Sequence, residues 1–374
     1  MAIRINPNIA GITPYSPGKP IEELERELGI TGSIKLASNE NPRGPSPRAL
    51  AVLSGTASSL HRYPDGGGHA LRHALAEHWK VTPEQVILGN GSDEIIGLLT
   101  KAFLQPGDEA VIADPSFIVY KIDVTAAHAT PVLVPLKEYR HDLTAMAKAI
   151  TSKTRMVFVC NPNNPTGTYV TAAEVSAFLR SVPPDVIVVF DEAYYEYVTA
   201  TDYPDTLAVL ASGRNVVVLR TFSKIYGLAG LRIGYGVTTA EIVGHLNRIR
   251  PPFNTNSPAQ KAALAALEDE EHVQESRRGN IEGRHFLMER LRALGLTVVP
   301  SEANFLYFDA RKDGKPLFDA LLRQGVIVRH LGGTCLRVTI GLPHENQRFI
   351  DALQSVLSQE PCKEKVHHDY RAET

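Results

Sequence analysis

A chain of 374 residues, 43% of them hydrophobic, is long enough for one large domain and a smaller one. Its charges nearly cancel, at −2 formally, so no basic field invites nucleic acid or an anionic membrane surface. Cys160, Cys335 and Cys362 match neither a disulfide framework nor a zinc site, which predicts no metal and a reducing, cytoplasmic home. The first residues lack the apolar stretch of a secretory signal, and no apolar run is long enough to span a membrane.

Residues 1–35 are rich in Pro and Gly, then carry a helical pattern over Ile21–Leu28, and read as an arm followed by a helix. Residues 36–68 are turn-rich, with Ser38-Asn-Glu-Asn-Pro-Arg-Gly-Pro45 and His61-Arg-Tyr-Pro-Asp-Gly-Gly-Gly68. From residue 69 to about 250, helices and strands alternate. The predicted helices are His69–His78, Asp93–Phe103, Leu143–Ala149 and Ala172–Leu179. The predicted strands are Val86–Leu88, Ala110–Ala113, Val132–Pro135, Arg155–Cys160, Val186–Phe190 and Val216–Leu219. Short, wholly apolar strands separated by helices predict a mostly parallel sheet buried on both faces, an α/β layer structure.

Beyond residue 250 the texture changes. Helices are predicted at Ser257–Glu268, Glu271–Leu294, Pro316–Gln324 and Glu345–Ser358. Strands are predicted at Thr297–Pro300, Asn304–Phe308, Val326–Arg329 and Cys335–Ile340. The expected division is an arm and helix over 1–35 packing with the small domain, a large domain over 36–255, a small α+β domain over 256–360, and a frayed tail over 361–374.

Candidate chemistry gathers at predicted strand ends, where open parallel sheets bind ligands. Lys224 follows the apolar run Asn215–Leu219, with Ser223 beside it and Arg232 past two glycines. A lysine so placed is a solvated strand-end residue or a nucleophile able to form a Schiff base, and hydroxyls with an Arg can hold a phosphate. The second combination suits pyridoxal phosphate. Asp191 follows Val186–Phe190 and reads as a metal ligand, a helix cap or the acidic partner of a pyridine nitrogen. Asn161 opens the rigid turn Asn161-Pro-Asn-Asn-Pro-Thr-Gly167, where it builds the turn, binds a cofactor oxygen, or both.

Gly89-Asn-Gly-Ser-Asp93 lies between a strand and a helix, as a capped turn or an anion site. It fits neither the dinucleotide nor the Walker spacing. Phe117 is a core aromatic or a ring that stacks on a flat cofactor, and Tyr194 is close enough to Asp191 to reach the same ligand. Tyr63 sits in an exposed glycine-flanked loop. Arg329 and Arg337 lie on late strands, each paired with a carboxylate or aimed at an anionic ligand.

Taken together, these segments resemble the fold-type I pyridoxal-phosphate-dependent aminotransferases of the aspartate aminotransferase superfamily, and within it the histidinol-phosphate aminotransferase family. The resemblance rests on Ser38-Asn-Glu-Asn-Pro42, Arg62-Tyr-Pro-Asp65, Gly91-Ser-Asp-Glu94, Asn161–Gly167, Asp191-Glu-Ala-Tyr194 and Thr221-Phe-Ser-Lys-Ile-Tyr-Gly-Leu-Ala-Gly-Leu-Arg232, in unchanged order. It implies the three-layer fold of that superfamily with a smaller α+β C-terminal domain, and an enzyme of histidine biosynthesis. It also implies transfer of an amino group between glutamate and imidazole acetol phosphate. By the same resemblance Lys224 would carry pyridoxal phosphate and shuttle a proton, and Asp191 would pair with the ring nitrogen. Asn161 and Tyr194 would bind the 3′ oxygen, and Phe117 would stack on the ring. Gly91, Ser92, Asp93, Ser223 and Arg232 would surround the phosphate. Tyr63 would reach the cofactor of a second subunit, making a homodimer with shared sites. Arg337 would take the α-carboxylate, Arg329 the substrate phosphate or distal carboxylate, and Tyr15 and Asn39 would line the entrance. Aromatic aminotransferases and threonine-phosphate decarboxylases share most of these residues and stand as alternatives.

Overall fold

The computed structural model describes residues 3 and 5–359; the predicted tail over 361–374 lies outside them. The arm carries one turn of helix, α1 (Pro7–Ala10), and then α2 (Ile21–Leu28), which buries Leu24 and ends at Gly29 in the left-handed conformation. Strand β1 (Ile34–Lys35) follows, then α3 (Pro47–Ser54) and α4 (His69–Trp79).

The alternating stretch forms β2 (Val86–Gly89), α5 (Ser92–Phe103), β3 (Glu109–Asp114), α6 (Ile118–Ala126), β4 (Thr130–Pro135), α7 (Leu143–Lys148), β5 (Thr154–Cys160), α8 (Ala172–Ser181), β6 (Ile187–Asp191), α9 (Thr206–Leu210), β7 (Val216–Thr221), β8 (Gly234–Val237) and α10 (Ala240–Asn247). Its strands make one seven-stranded sheet in the order β2-β8-β7-β6-β5-β3-β4. Pairing is parallel from β4 to β7, whereas β8 runs antiparallel to both β2 and β7. The central strands are buried on both faces, as their unbroken apolar runs require. In β5 the side chains alternate: Met156, Phe158 and Cys160 enter the core on one side of the sheet, and Val157 and Val159 the core on the other. Helices cover both faces, giving three layers.

The remainder is α11 (Ser257–Leu267), the long α12 (Glu270–Ala293), β9 (Thr297–Val298), β10 (Phe305–Asp309), α13 (Gly314–Arg323), β11 (Val326–Ile327), β12 (Arg329–His330), β13 (Cys335–Thr339) and α14 (Pro343–Gln359). Four of its strands form an antiparallel sheet, β12-β13-β10-β9. The arm joins this part: β1 pairs in parallel with β11, and Leu24 packs with Ala37 and Ile327.

Several observed features differ from the sequence reading. Ser257–Leu267 was expected in the small domain, but its alanine face (Ala259, Ala262, Ala263, Ala266) packs in one core with Phe222 and Tyr235 of the large layer structure. Val326–Arg329 is two short strands in different sheets, not one. The turn-rich span 36–68 contains α3, started by the Ser46 cap and a proline in its first turn. Among the elements not foreseen are helices α6, α9 and α10 and strand β8.

Candidate active site

The C-terminal ends of β5, β6 and β7 and the start of α5 converge on a cavity of about 180 Å³. On one side, Gly91 caps α5 with φ 83°, and Ser92 and Asp93 form its first turn. The first N–H groups of a helix have no partner within it and favour an anion. Arg232, itself left-handed at φ 57°, lies against this turn, and its Nη1 donates to Ser223 Oγ at 3.4 Å. A Cβ at position 91 would lie 2.6 Å from Arg232 Nη2, so only glycine lets the guanidinium come this close. Burial raises the pKa of the Asp93 carboxyl, opposed by the charges of Arg232 and Lys224.

The floor is Asp191, the last residue of β6, 4% exposed. Its Oδ1 accepts the Ala193 N–H at 3.2 Å and its Oδ2 accepts the Tyr120 hydroxyl at 2.5 Å. Burial pushes its pKa up to about 6 in spite of these two donors. Its neighbour Glu192 points to the opposite side of the sheet. There Glu192 Oε2 accepts Arg220 Nε at 3.0 Å and Nη2 at 2.8 Å, and the guanidinium lies between the rings of Trp79 and Tyr195.

Lys224 reaches in from the loop after β7. Its Nζ is 3.4 Å from the Ser38 carbonyl oxygen and 5.8 Å from the centre of the Tyr194 ring. Burial first, and the positive charge of Arg337 second, lower its pKa to about 8. An amine with this acidity is available as a nucleophile and as a proton carrier near neutral pH. Arg337, on β13, donates to Asn164 Oδ1 at 2.5 Å and to the Ala37 carbonyl at 2.7 Å, while its buried Nε has no partner among the described residues. Asn39, at φ 55°, donates to the Tyr194 hydroxyl at 2.9 Å, and Tyr15 and Phe117 complete the wall.

The structure therefore brings together Tyr15, Asn39, Gly91, Ser92, Asp93, Phe117, Asp191, Tyr194, Ser223, Lys224, Arg232 and Arg337. Asn161 and Arg329 do not line this cavity, and neither does Tyr63, which the resemblance assigns to the cofactor of a second subunit. Asn161 is fully buried beneath the loop: its Oδ1 accepts the Val170 N–H at 2.9 Å and its Nδ2 donates to the Val170 carbonyl at 3.3 Å. Its amide closes the turn through these two bonds, and Asn164 of the same turn faces the cavity. Tyr63 is 82% exposed and stacks on Phe253 with ring centres 4.7 Å apart. Arg329 lies just outside the cavity, donating to the Ser16 carbonyl at 2.7 Å and standing 5.7 Å from the Tyr15 ring centre. Two site residues were missed. Asn164 was one of three asparagines in one short turn, and Tyr120 lay in a helix the apolar pattern did not reveal.

A model of the family "Aminotransferase class I and II" matches residues 31–353. This chain belongs to the class I and II aminotransferases. Among its relatives within the family, the histidinol-phosphate aminotransferase of Moorella thermoacetica is 53% identical over 355 residues, covering 94% of this chain and 92% of the relative. That of Anaeromyxobacter sp. (strain Fw109-5) is 49% identical, covering 94% of this chain and 99% of its own. Among solved structures, the class I and II aminotransferase chain resembles histidinol-phosphate aminotransferase from Sinorhizobium meliloti in complex with pyridoxal-5'-phosphate. The TM-score is 0.86 at 28% identity, with 95% of this chain and 99% of that one covered.

Proposed function

We propose that this chain is a pyridoxal-phosphate-dependent aminotransferase that moves the amino group between glutamate and imidazole acetol phosphate, giving L-histidinol phosphate and 2-oxoglutarate. The observation that carries the reading is one cavity holding a buried lysine amine, a carboxylate on the floor and an anion cradle. The near-full-length likeness to histidinol-phosphate aminotransferases supports the substrate.

The residues present fit the cofactor. The Gly91 cradle, which a Cβ would fill, offers N–H groups and Arg232 to a phosphate. Asp191 offers a carboxylate to a ring nitrogen, and Lys224 an amine to an aldehyde. When bound, pyridoxal phosphate supplies a ring that draws electrons away from the substrate α-carbon. The chain's own residues then divide the work. Asp191 would hold the ring nitrogen and favour its protonated form, Phe117 would lie against the ring face, and Tyr194 would bind its 3′ oxygen. Lys224 Nζ carries the proton to and from the α-carbon, since a pKa near neutrality lets it act in both directions. Arg337 orients the α-carboxylate through charge-assisted bonds, shifting its fork from Asn164 and Ala37. The arm residue Tyr15 closes the mouth, with Arg329 behind it to receive the phosphate or the distal carboxylate.

The active unit is read as a homodimer. Tyr63 and Phe253 form an exposed aromatic pair outside the cavity of their own chain, suited to cover by a second copy whose cofactor Tyr63 would touch. A reducing, cytoplasmic setting fits the free thiols of Cys160 and Cys335. The test is a substrate panel on the purified holoenzyme: histidinol phosphate, phenylalanine, tyrosine and aspartate with 2-oxoglutarate, and threonine phosphate with CO2 detection. Histidinol phosphate should be the best substrate. Preference for phenylalanine, or CO2 from threonine phosphate, would overturn the substrate assignment and leave the cofactor assignment standing.

A further inference from the structure

Tyr120 is fully buried and lines no part of the cavity, yet its hydroxyl is 2.5 Å from Asp191 Oδ2. It sits on α6 three residues after Phe117, a spacing that puts both rings on one helix face. The Tyr120 ring stacks on Phe158 of β5 with centres 4.7 Å apart and planes 12° from parallel, and meets Phe117 edge-on at 5.5 Å. The ring is held from two directions, so its hydroxyl has little freedom to seek another acceptor. Among the described residues the carboxylate it serves has one other donor, the Ala193 N–H at 3.2 Å on the other oxygen.

We propose that Tyr120 is a positioning residue for the cofactor ring: its hydroxyl fixes the Asp191 carboxylate and keeps it charged, so that the proton shared with the cofactor stays on the ring nitrogen. The inference rests on Asp191 as the partner of that nitrogen. A buried carboxylate is penalised for its charge, and a donor to the charged form offsets the penalty. Without the hydroxyl, Asp191 draws the proton toward itself and is free to turn about its side-chain torsion. A neutral ring nitrogen is a weaker electron sink, so the effect reaches the α-carbon although Tyr120 never touches substrate. The chain Phe117–Tyr120–Asp191 also links the residue on the ring face to the residue on the ring edge.

The test uses holoenzyme reconstituted with pyridoxal phosphate labelled with 15N in the ring, whose nitrogen resonance reports protonation directly. Tyr120→Phe deletes one oxygen and keeps the stack. It should move the resonance from the protonated toward the neutral position and raise the Kd for pyridoxal phosphate binding to the apoenzyme about tenfold, as expected for a hydrogen bond to a charged group. Phe158→Leu, which loosens the stack and keeps the hydroxyl, should leave the resonance near its native position. A 3-fluorotyrosine at position 120 is a stronger donor and should move it the other way, and it serves if Tyr120→Phe does not fold. Asp191→Asn is the control for the underlying reading. If it leaves the resonance unchanged, Asp191 is not the nitrogen's partner and both readings fall. If Asp191→Asn moves the resonance and Tyr120→Phe does not, or Phe158→Leu moves it as far as Tyr120→Phe, only the role of Tyr120 is overturned.

Discussion

The floor of the cavity and its rim are built on different principles. On the floor, Asp191 ends a strand hydrogen-bonded to neighbours on both sides, and Glu192 next to it anchors the far face through Arg220. On the rim, Tyr15 comes from the arm, Asn39 from a loop, and Arg337 and Arg329 from the second sheet. Floor residues are placed by the ladder, so their positions cost little beyond folding itself. Rim residues are placed by contacts between parts far apart in the chain, such as the Arg329 bond to the Ser16 carbonyl. The floor suits a cofactor that stays, and the rim suits substrates that come and go.

That contrast can be broken at four places. Lys224→Ala should lower kcat/KM with glutamate by about 1,000-fold or more, the scale of a lost nucleophile and proton carrier, as measured by single-turnover assay. The same variant sharpens the comparison through stability. A folded pKa of about 8 lies below the ordinary lysine value of 10.5, so at pH 7 the folded state disfavours the charged amine, and that penalty is relieved as pH rises through 8. Apoenzyme carrying Lys224→Ala should therefore unfold at the same or higher temperature than the native apoenzyme at pH 7, with the gap closing toward pH 10.

Next in size is the anchor beneath the floor. Arg220→Met leaves the Glu192 carboxylate buried without its partner, which costs about 3–5 kcal/mol in urea denaturation. Adding Glu192→Gln should recover part of the loss, because the uncompensated charge is removed.

A smaller effect is expected in the anion cradle. Gly91→Ala places a methyl group against the Arg232 guanidinium at a backbone angle that disfavours it. The Kd for pyridoxal phosphate should rise about 30-fold in fluorescence titration, roughly 2 kcal/mol.

The smallest belongs to the rim. Arg329→Ala should lower kcat/KM for histidinol phosphate by about tenfold and change urea stability by less than about 1 kcal/mol. Histidinol without its phosphate should lose much less. An equal loss for both would remove Arg329 from phosphate recognition.

The floor was largely legible in the sequence because strand ends are. Apolar runs such as Val216–Leu219 stop where the chain leaves the buried sheet, and Asp191 and Lys224 follow such stops directly or nearly so. Within a turn the same logic fails. Asn161 and Asn164 are equally polar, and only the folded loop shows that one amide closes on Val170 while the other faces Arg337. Helix α6 was hidden because Ile118-Val-Tyr is β-branched and aromatic at its start, which reads as strand or loop until Tyr120 and Val124 are seen buried on one face. Strand β8 was hidden because Gly234-Tyr-Gly-Val carries two glycines, a composition that signals loop. Its glycines are required: a Cβ at Gly234 would lie 2.5 Å from the Ser92 amide nitrogen.

The direction of β8 has a consequence for synthesis of the chain. Because it runs opposite to its neighbours, its first residues stand at the edge where β7 ends, with Gly234 opposite both Gly89 and Thr221. Arg232 thus reaches the start of α5 only after β8 has slipped between β2 and β7. While the ribosome is still adding residues before 234, Gly91 and Ser92 exist without their guanidinium, and Lys224 without its cradle. The phosphate cradle is therefore complete only once this late strand has closed the seven-stranded sheet.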